Sequence, residues 1–305
     1  MSKEGLVGHL AAAGAYVIFG LNIVLCKDIA NSSAVSPTAM FTIRALGATI
    51  LFWLSSLFLP GERIRKGDMW KIAVASFVGL FVPQFTFLEA ITMTTAIDTS
   101  ILSTFAPIFT MLIAAMVLKE PITFKKAAGV AISFAGVLFL IFNSVVSHNE
   151  VTQSSPLGVI LLLLNCLSFA TYLGVFRPLI NRYSVITFMK WMFLFSLVIS
   201  LPFSAGDLAA TDFAALPVKI ILEIAFVVVF ATFVAYFLIP VGQKRIRPTL
   251  VSLYSYLQPI IASVIAIASG MDVITWQKIL ATILVISGVI LVNKSRAAEI
   301  NSSEP

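Results

Sequence analysis

Charge is what this sequence has least of. Acidic and basic side chains make up 11% of its 305 residues, against about a quarter in an ordinary soluble domain, so a charged, water-facing surface cannot be built around it. Histidine and cysteine are scarcer still. Cys26 and Cys166 each stand alone inside an apolar run, while His9 lies near the N-terminus and His148 in a polar stretch. Two separated thiols exclude a disulfide framework and a CxxC metal site, and both read as small hydrophobes. No HExxH helix, GxSxG serine, paired membrane aspartates or GxxxxGK[ST] loop occurs. Intramembrane proteolysis and self-powered ATP-driven work therefore lack their chemistry, and neither an enzyme nor a metal or cofactor is expected.

What fills the chain instead is hydrocarbon. Hydrophobic residues reach 59% and the mean hydropathy is +1.03, and the apolar runs are about 18–24 residues long, enough for a helix to cross roughly 30 Å of bilayer. They lack the alternation of barrel strands, so the expected class is an all-α integral membrane protein. Ten spans are predicted, at 8–26, 37–59, 70–93, 97–118, 125–143, 157–176, 185–203, 218–241, 249–269 and 276–293. The first is read as a span rather than a cleaved leader, because it is too long for a signal core and its alanines cluster at its start.

The net charge of +6 sits in the connectors, where it reports membrane topology rather than a nucleic-acid partner. With the first helix starting in the cytoplasm, about fifteen Lys and Arg fall on the inner side and only Lys27, Lys219 and Lys278 on the outer. Both termini are therefore predicted cytoplasmic, in a multi-pass protein of the plasma (inner) membrane.

A long internal repeat organises the chain. The stretch 103–140 returns as 255–292 with a shift of about 152 positions and no gap: Pro107 falls on Pro259, Glu120 on Asp272, Ile122-Thr123 on Ile274-Thr275 and Gly136 on Gly288. A period of half the chain, apolar in both copies, points to a duplicated membrane half-domain. The polar, proline-ended connector between 144 and 156 places the boundary near Glu150, giving halves 1–150 and 151–305. Five spans per half is odd, so the second half enters the bilayer from the opposite side. The prediction is an inverted five-plus-five repeat with a midplane site that opens alternately to either face.

The paired patterns Pro107…Glu120-Pro-Ile-Thr-Phe and Pro259…Asp272-Val-Ile-Thr-Trp carry a family likeness, as do Phe19-Gly-Leu-Asn22 with Lys27 and Ser36-Pro37…Arg44. Over nearly its whole length the chain resembles the EamA-type branch of the drug/metabolite transporter superfamily. The second copy departs from the pattern, with Asp272 in place of Glu and no proline after it. The resemblance implies a secondary transporter that exports a small metabolite such as an amino acid, with nucleotide-sugar, organic-anion or lipid-linked-sugar carriage as alternatives. Its partners would be a small-molecule solute and the lipid bilayer, with proton or counter-solute coupling, in a monomer or homodimer.

Polar side chains inside hydrocarbon are the candidate site, because burying an ion there costs at least about 2.5–3.5 kcal/mol. Arg44, about eight residues into the second span, either holds a carboxylate or phosphate of the solute or pairs with Glu89. Lys190, near the repeat-equivalent position in the seventh span, is either a second anion contact or a snorkelling side chain. Asn22, Gln84, Asn165 and Gln258 lie in the helices that the resemblance makes cavity-lining; they contact solute or bond one another. Tyr172, Tyr236, Tyr254 and Tyr256 offer aromatic bodies with a hydroxyl. Glu89, read as the one acidic residue well inside a span, is the proton-coupling candidate. Pro83, Pro107 and Pro259 kink their helices and are candidate hinges, with Ser103, Thr104, Ser252 and Ser255 beside them. Glu120 and its repeat partner Asp272 read as turn chemistry, with Thr123 and Thr275 as N-caps.

Overall fold

Segments with no water around them must close their backbone hydrogen bonds internally, and the helix does so within one segment. A computed structural model describes residues 3–118, 124–146 and 154–302. Every regular element among the described residues is helical. The rods are α1 (Lys3–Ser32), α2 (Pro37–Ser56), α3 (Lys66–Met93), α4 (Ala96–Ser103 and Ala106–Leu118), α5 (Phe124–Val146), α6 (Pro156–Val175), α7 (Val185–Ala210), α8 (Val218–Arg245), α9 (Pro248–Leu253, Tyr254–Tyr256 and Leu257–Ala268) and α10 (Trp276–Ser302). A short helix, Arg177–Arg182, joins α6 to α7. Eight of the rods are long and apolar enough to cross a bilayer, while α5 and α10 contain shorter apolar stretches, Ala127–Phe139 and Trp276–Gly288. The expected half-domain boundary near Glu150 and the turn residues Glu120 and Thr123 lie outside the described residues.

Local signals start the rods. Ser36 and Ser155 each precede a proline, and each side chain accepts the amide three residues on, from Ala39 and Gly158. This pairs a polar N-cap with the residue whose fixed φ suits the first helical turn. Thr95 and Ser184 cap α4 and α7 in the same way, through the amides of Asp98 and Thr187.

The helices pack by a rule that survives exchanging each with the one five places on. Thus α1–α8 is matched by α3–α6, α1–α9 by α4–α6 and α2–α8 by α3–α7, while α2–α7, α4–α9 and α5–α10 map onto themselves. The self-matched pairs α2–α7 and α5–α10 run antiparallel. Along α2–α7, Thr42 meets Ser204 at 2.5 Å, Phe52 stacks on Phe193 and Trp53 meets Trp191 edge-on, so numbers rise on one helix as they fall on the other. Along α5–α10, Gly136 lies against Ala281 and Val285, and Gly288 against Gly129 and Ser133. Ser133 Oγ donates to the Val285 carbonyl at 3.0 Å across the same seam. The repeated glycines are therefore the closest approach of α5 to α10, each seated on the other's helix. Small residues at such crossings let backbones approach where lipid supplies no hydrophobic drive.

Two further irregularities come in matched pairs. A π-helical turn widens α3 at Phe77–Phe81 and another widens α8 at Val227–Val234. Likewise α4 breaks between Ser103 and Ala106, and α9 narrows to a 3-10 turn at Tyr254–Tyr256, each just ahead of a repeated proline, Pro107 or Pro259. Proline removes a donor and crowds the preceding turn, which accounts for the breaks.

Asp272 does more than shape a turn. It is buried, its Oδ1 receives Lys278 Nζ at 2.5 Å, and its Oδ2 accepts the Ile97 amide at 3.1 Å. It thus ties the start of α10 to the first turn of α4. Thr275 accepts the Lys278 amide at 3.4 Å, as an N-cap does.

Candidate functional site

Between α1, α2, α3, α4, α6, α8 and α9 lies a cavity of about 630 Å³ of empty space, its mouth included. Six of the nine candidate contact residues line it: Asn22, Arg44, Gln84, Asn165, Tyr236 and Gln258, together with Pro83. They come from α1, α2, α3, α6, α8 and α9, and apart from Pro83 and Gln84 no two adjoin in sequence.

Arg44 owes its position to Gly47. A Cβ on Gly47 would stand 2.3 Å from the Val228 side chain, so α2 and α8 approach as closely as a glycine allows. One turn earlier on α2, the Arg44 guanidinium reaches α8, where its Nε donates to Thr232 Oγ1 at 3.0 Å. Thr232 in turn donates to the Val227 carbonyl at 2.7 Å, a reach of five residues that fills the π-helical turn. Arg44 is 2% exposed, and its Nη1 has no hydrogen-bond partner. The proposed ion pair with Glu89 is not formed. Among the described residues Arg44 has no acid partner, and Glu89 is half-buried with another carboxylate, Asp207, as its charged neighbour.

The amides divide by use. Asn165 Nδ2 donates to the Pro83 carbonyl at 2.6 Å, and Ser168 beside it donates to Val78 O at 2.6 Å, so α6 stitches α3 across its π-helical turn. Asn22 Oδ1 accepts the Cys26 thiol at 3.4 Å. The Gln84 amide stands beside the Tyr236 hydroxyl but closes no hydrogen bond of ordinary length with Oε1 or Nε2, and Gln258 Oε1 and the Tyr16 hydroxyl are likewise unpartnered. All three residues are buried and line the cavity. Buried polar atoms in native proteins are bonded in the great majority of cases. Several orphans around one cavity mark a surface shaped for something polar.

Aromatic rings form the rest of the wall. Phe19 and Phe169 both stand edge-on to Tyr236, with centroids at 5.6 and 6.4 Å, and Tyr16 meets Phe19 at 5.7 Å. Phe87 adds a ring from α3. The Tyr16, Phe19, Phe87 and Phe169 contributions are invisible in a sequence with 25 phenylalanines, since nothing there distinguishes a cavity ring from a packing ring.

Three expected contacts lie elsewhere. Lys190 places its ammonium 4.9 Å from the centre of the Trp53 ring, on the partly exposed outer face of α2 and α7, and does not line the cavity. Tyr172 is a packing residue: its ring fills the notch at Gly79, where a Cβ would approach it to 2.5 Å. Tyr256 is half-buried and packs against an apolar core cluster to which α1, α4 and α9 contribute along with most other helices. Tyr254 instead hydrogen-bonds His9 at 2.8 Å. Glu89, read as the one acid well inside a span, has two acidic companions nearer the ends of theirs. Asp98 and Glu223 are both buried, each with one carboxylate oxygen unpartnered, and Glu223 shares the Lys219 ammonium with Asp28. Both sit within a turn or so of a span's end, where sequence reading takes an acid for an interfacial one.

The model of the EamA-like transporter family matches residues 6–142 and again 156–294. The chain belongs to this family. Among EamA-like relatives, an uncharacterized transporter of Archaeoglobus fulgidus is 25% identical over 66% of this chain and 68% of its own length. The uncharacterized transporter YyaM of Bacillus subtilis is 23% identical over 92% of each chain, and YetK of the same organism is 20% identical over 87% and 80%. A solved structure, titled only as the crystal structure of a protein, superposes with a TM-score of 0.64 over 96% of this chain and 98% of that one, at 16% identity. That likeness concerns the fold. An EamA-like chain is a membrane transporter by family and not an enzyme.

Proposed function

We propose that this EamA-like protein is a secondary transporter that binds a small metabolite in the cavity between its halves and exposes it alternately to the two faces of the membrane. The reading takes ten spans in an inverted five-plus-five repeat, divided near Glu150, with both termini on the cytoplasmic side of the plasma membrane. One observation carries it. Polar side chains from both halves, which hydrocarbon would penalise, meet at a single cavity and leave buried donors and acceptors unpartnered. The antiparallel seams between repeat-equivalent helices favour inversion. The broken helices α4 and α9 supply matched hinges at Pro107 and Pro259, with Pro83 a third beside the π-helical turn of α3. Irregular backbone at membrane depth is tolerated where protein or a cavity covers it.

Export of an amino acid or a similar small metabolite is the direction the family resemblance gives. Coupling would use a proton or an exchanged solute. The carboxylates placed for it are Glu89, half-buried on α3, and Glu223, buried on α8 beside Asp28 and Lys219. Purified protein in liposomes tests the whole reading: labelled amino acids, organic anions, nucleotide sugars and lipid-linked sugars are offered with and without a pH gradient. Flux of at least one is expected, and uniform silence across the panel refutes transport. Loss of gradient-driven uptake in Glu223→Gln, with Glu89→Gln unaffected, assigns the coupling role to α8; the reverse assigns it to α3.

A further inference from the structure

We infer that the solute is a small organic monoanion with a flat apolar body, its acid group on Arg44 and its body among the rings around Tyr236. The inference deepens the transporter reading and rests on it. Three observations lead there.

The first is charge. Arg44 brings a full positive charge into the cavity wall, and no carboxylate lines that cavity among the described residues. Arg44 also lacks an acid partner there, and its Nη1 is a buried donor with nothing to receive it. An uncompensated buried charge is strongly unfavourable. A bound monoanion brings the site to neutrality, and guanidinium geometry suits the two oxygens of a carboxylate. A zwitterion or an amine would leave an ammonium facing only uncharged amide and hydroxyl oxygens, beside a like charge.

The second is the distribution of the orphans. Gln84 can give and accept one hydrogen bond, and Gln258 Oε1 can accept one. Water or a hydroxyl or amide on the solute satisfies such groups, and none of them requires a second charge. The third is proximity. Thr232, which anchors Arg44, lies one helical turn before Tyr236 on α8, and Phe19 and Phe169 stand edge-on to that same ring. The charged part and the aromatic part of the cavity wall therefore adjoin on α8, so one small solute can touch both. Rings in this arrangement present faces and edges that favour another flat group.

Three nearly isosteric compounds isolate the point: 3-phenylpropionate carries the acid alone, phenylalanine the acid and the amine, and phenethylamine the amine alone. Their binding to the purified protein is measured by ligand-induced thermal stabilisation, and their movement by counterflow in liposomes. The expected order is 3-phenylpropionate first by at least about tenfold in apparent affinity. Phenylalanine or phenethylamine binding as well or better overturns the inference. So does failure of all three to bind or move while another compound of the wider panel is transported, an outcome that leaves the transporter reading standing. No flux of any compound overturns both. Arg44→Gln adds a second readout, with loss of 3-phenylpropionate stabilisation and no effect on apolar ring compounds. Since the wild-type ranking needs no variant, misfolding of Arg44→Gln does not remove the test.

Discussion

Replacing Gly288 by alanine should push α5 and α10 apart. A Cβ at this position would stand 2.4 Å from the Gly129 carbonyl oxygen and 2.7 Å from the Ser133 amide nitrogen. An ordinary carbon–oxygen contact is about 3.3–3.6 Å, so α5 and α10 must part by roughly 1 Å. The nearest atom of all, Ser133 Oγ at 2.3 Å, can rotate away, but the other two belong to the backbone, which no rotamer change can move aside. A gap of ~0.5–1 Å forfeits a quarter to a half of each dispersion contact across it, and dispersion is the main attraction between helices in lipid. Overpacking of this kind costs about 1–3 kcal/mol, while the better helix propensity of alanine returns up to ~1 kcal/mol. A net loss of about 1–2 kcal/mol lowers the midpoint of thermal unfolding by roughly 2–8 °C, taking about 2–4 °C per kcal/mol for a large domain. Gly136→Ala should cost less, because two of its three obstacles, on Val285 and Leu284, are side-chain atoms at 2.9 and 3.0 Å. Gly206→Ala, with nothing within 4 Å, should be neutral or stabilising. Detergent-solubilised variants followed by intrinsic fluorescence on heating give the ranking. Equal midpoints for the 288 and 206 variants, or a larger loss at 136 than at 288, would refute the close-packed seam.

Other sites give equally direct outcomes. Lys278→Met leaves Asp272 buried and unpaired and should cost about 3–5 kcal/mol, whereas Asp272→Asn combined with Lys278→Met should recover part of that loss; a double-mutant cycle by thermal unfolding with no coupling would contradict the pair. Tyr172→Phe should leave stability within about 0.5 kcal/mol because the hydroxyl has no partner, and Tyr172→Ala should lose about 3–5 kcal/mol by emptying the notch at Gly79. Lys190→Met should leave liposome flux unchanged while removing a cation–π contact worth about 0.5–1 kcal/mol; abolished flux would return Lys190 to the solute path.

Much of the fold was legible because its signals are local or periodic. Run length marked the spans, and Pro107 and Pro259 marked the kinks in α4 and α9, whereas the caps at Ser36 and Ser155 were read only as part of a family pattern and of a linker. The cavity was legible wherever a side chain was out of place in hydrocarbon, which is why Asn22, Arg44, Gln84, Asn165, Tyr236 and Gln258 could be selected at all. What stayed hidden depends on which way a helix faces. Lys190 occupies a position like that of Arg44 in the repeat, yet it turns onto Trp53 at the periphery. The π-helical turns at Phe77–Phe81 and Val227–Val234 rotate everything beyond them, and no residue type announces them. Thr232 is an ordinary threonine until Arg44 and the Val227 carbonyl are seen on either side of it.

The α5–α10 seam has a property that belongs to subunit interfaces more than to interiors. Gly136 meets the 281–285 turn, and Gly288 meets the 129–133 turn. Patch and counter-patch are thus the same repeat segment used twice, which is the isologous arrangement of a symmetric dimer. A mutation in one copy meets an unchanged partner, so the two copies can diverge only in step across this contact. Positions outside such self-paired contacts are free to drift. Arg44 turns to α8 and away from that seam, and among the described residues the cavity wall carries one guanidinium rather than two.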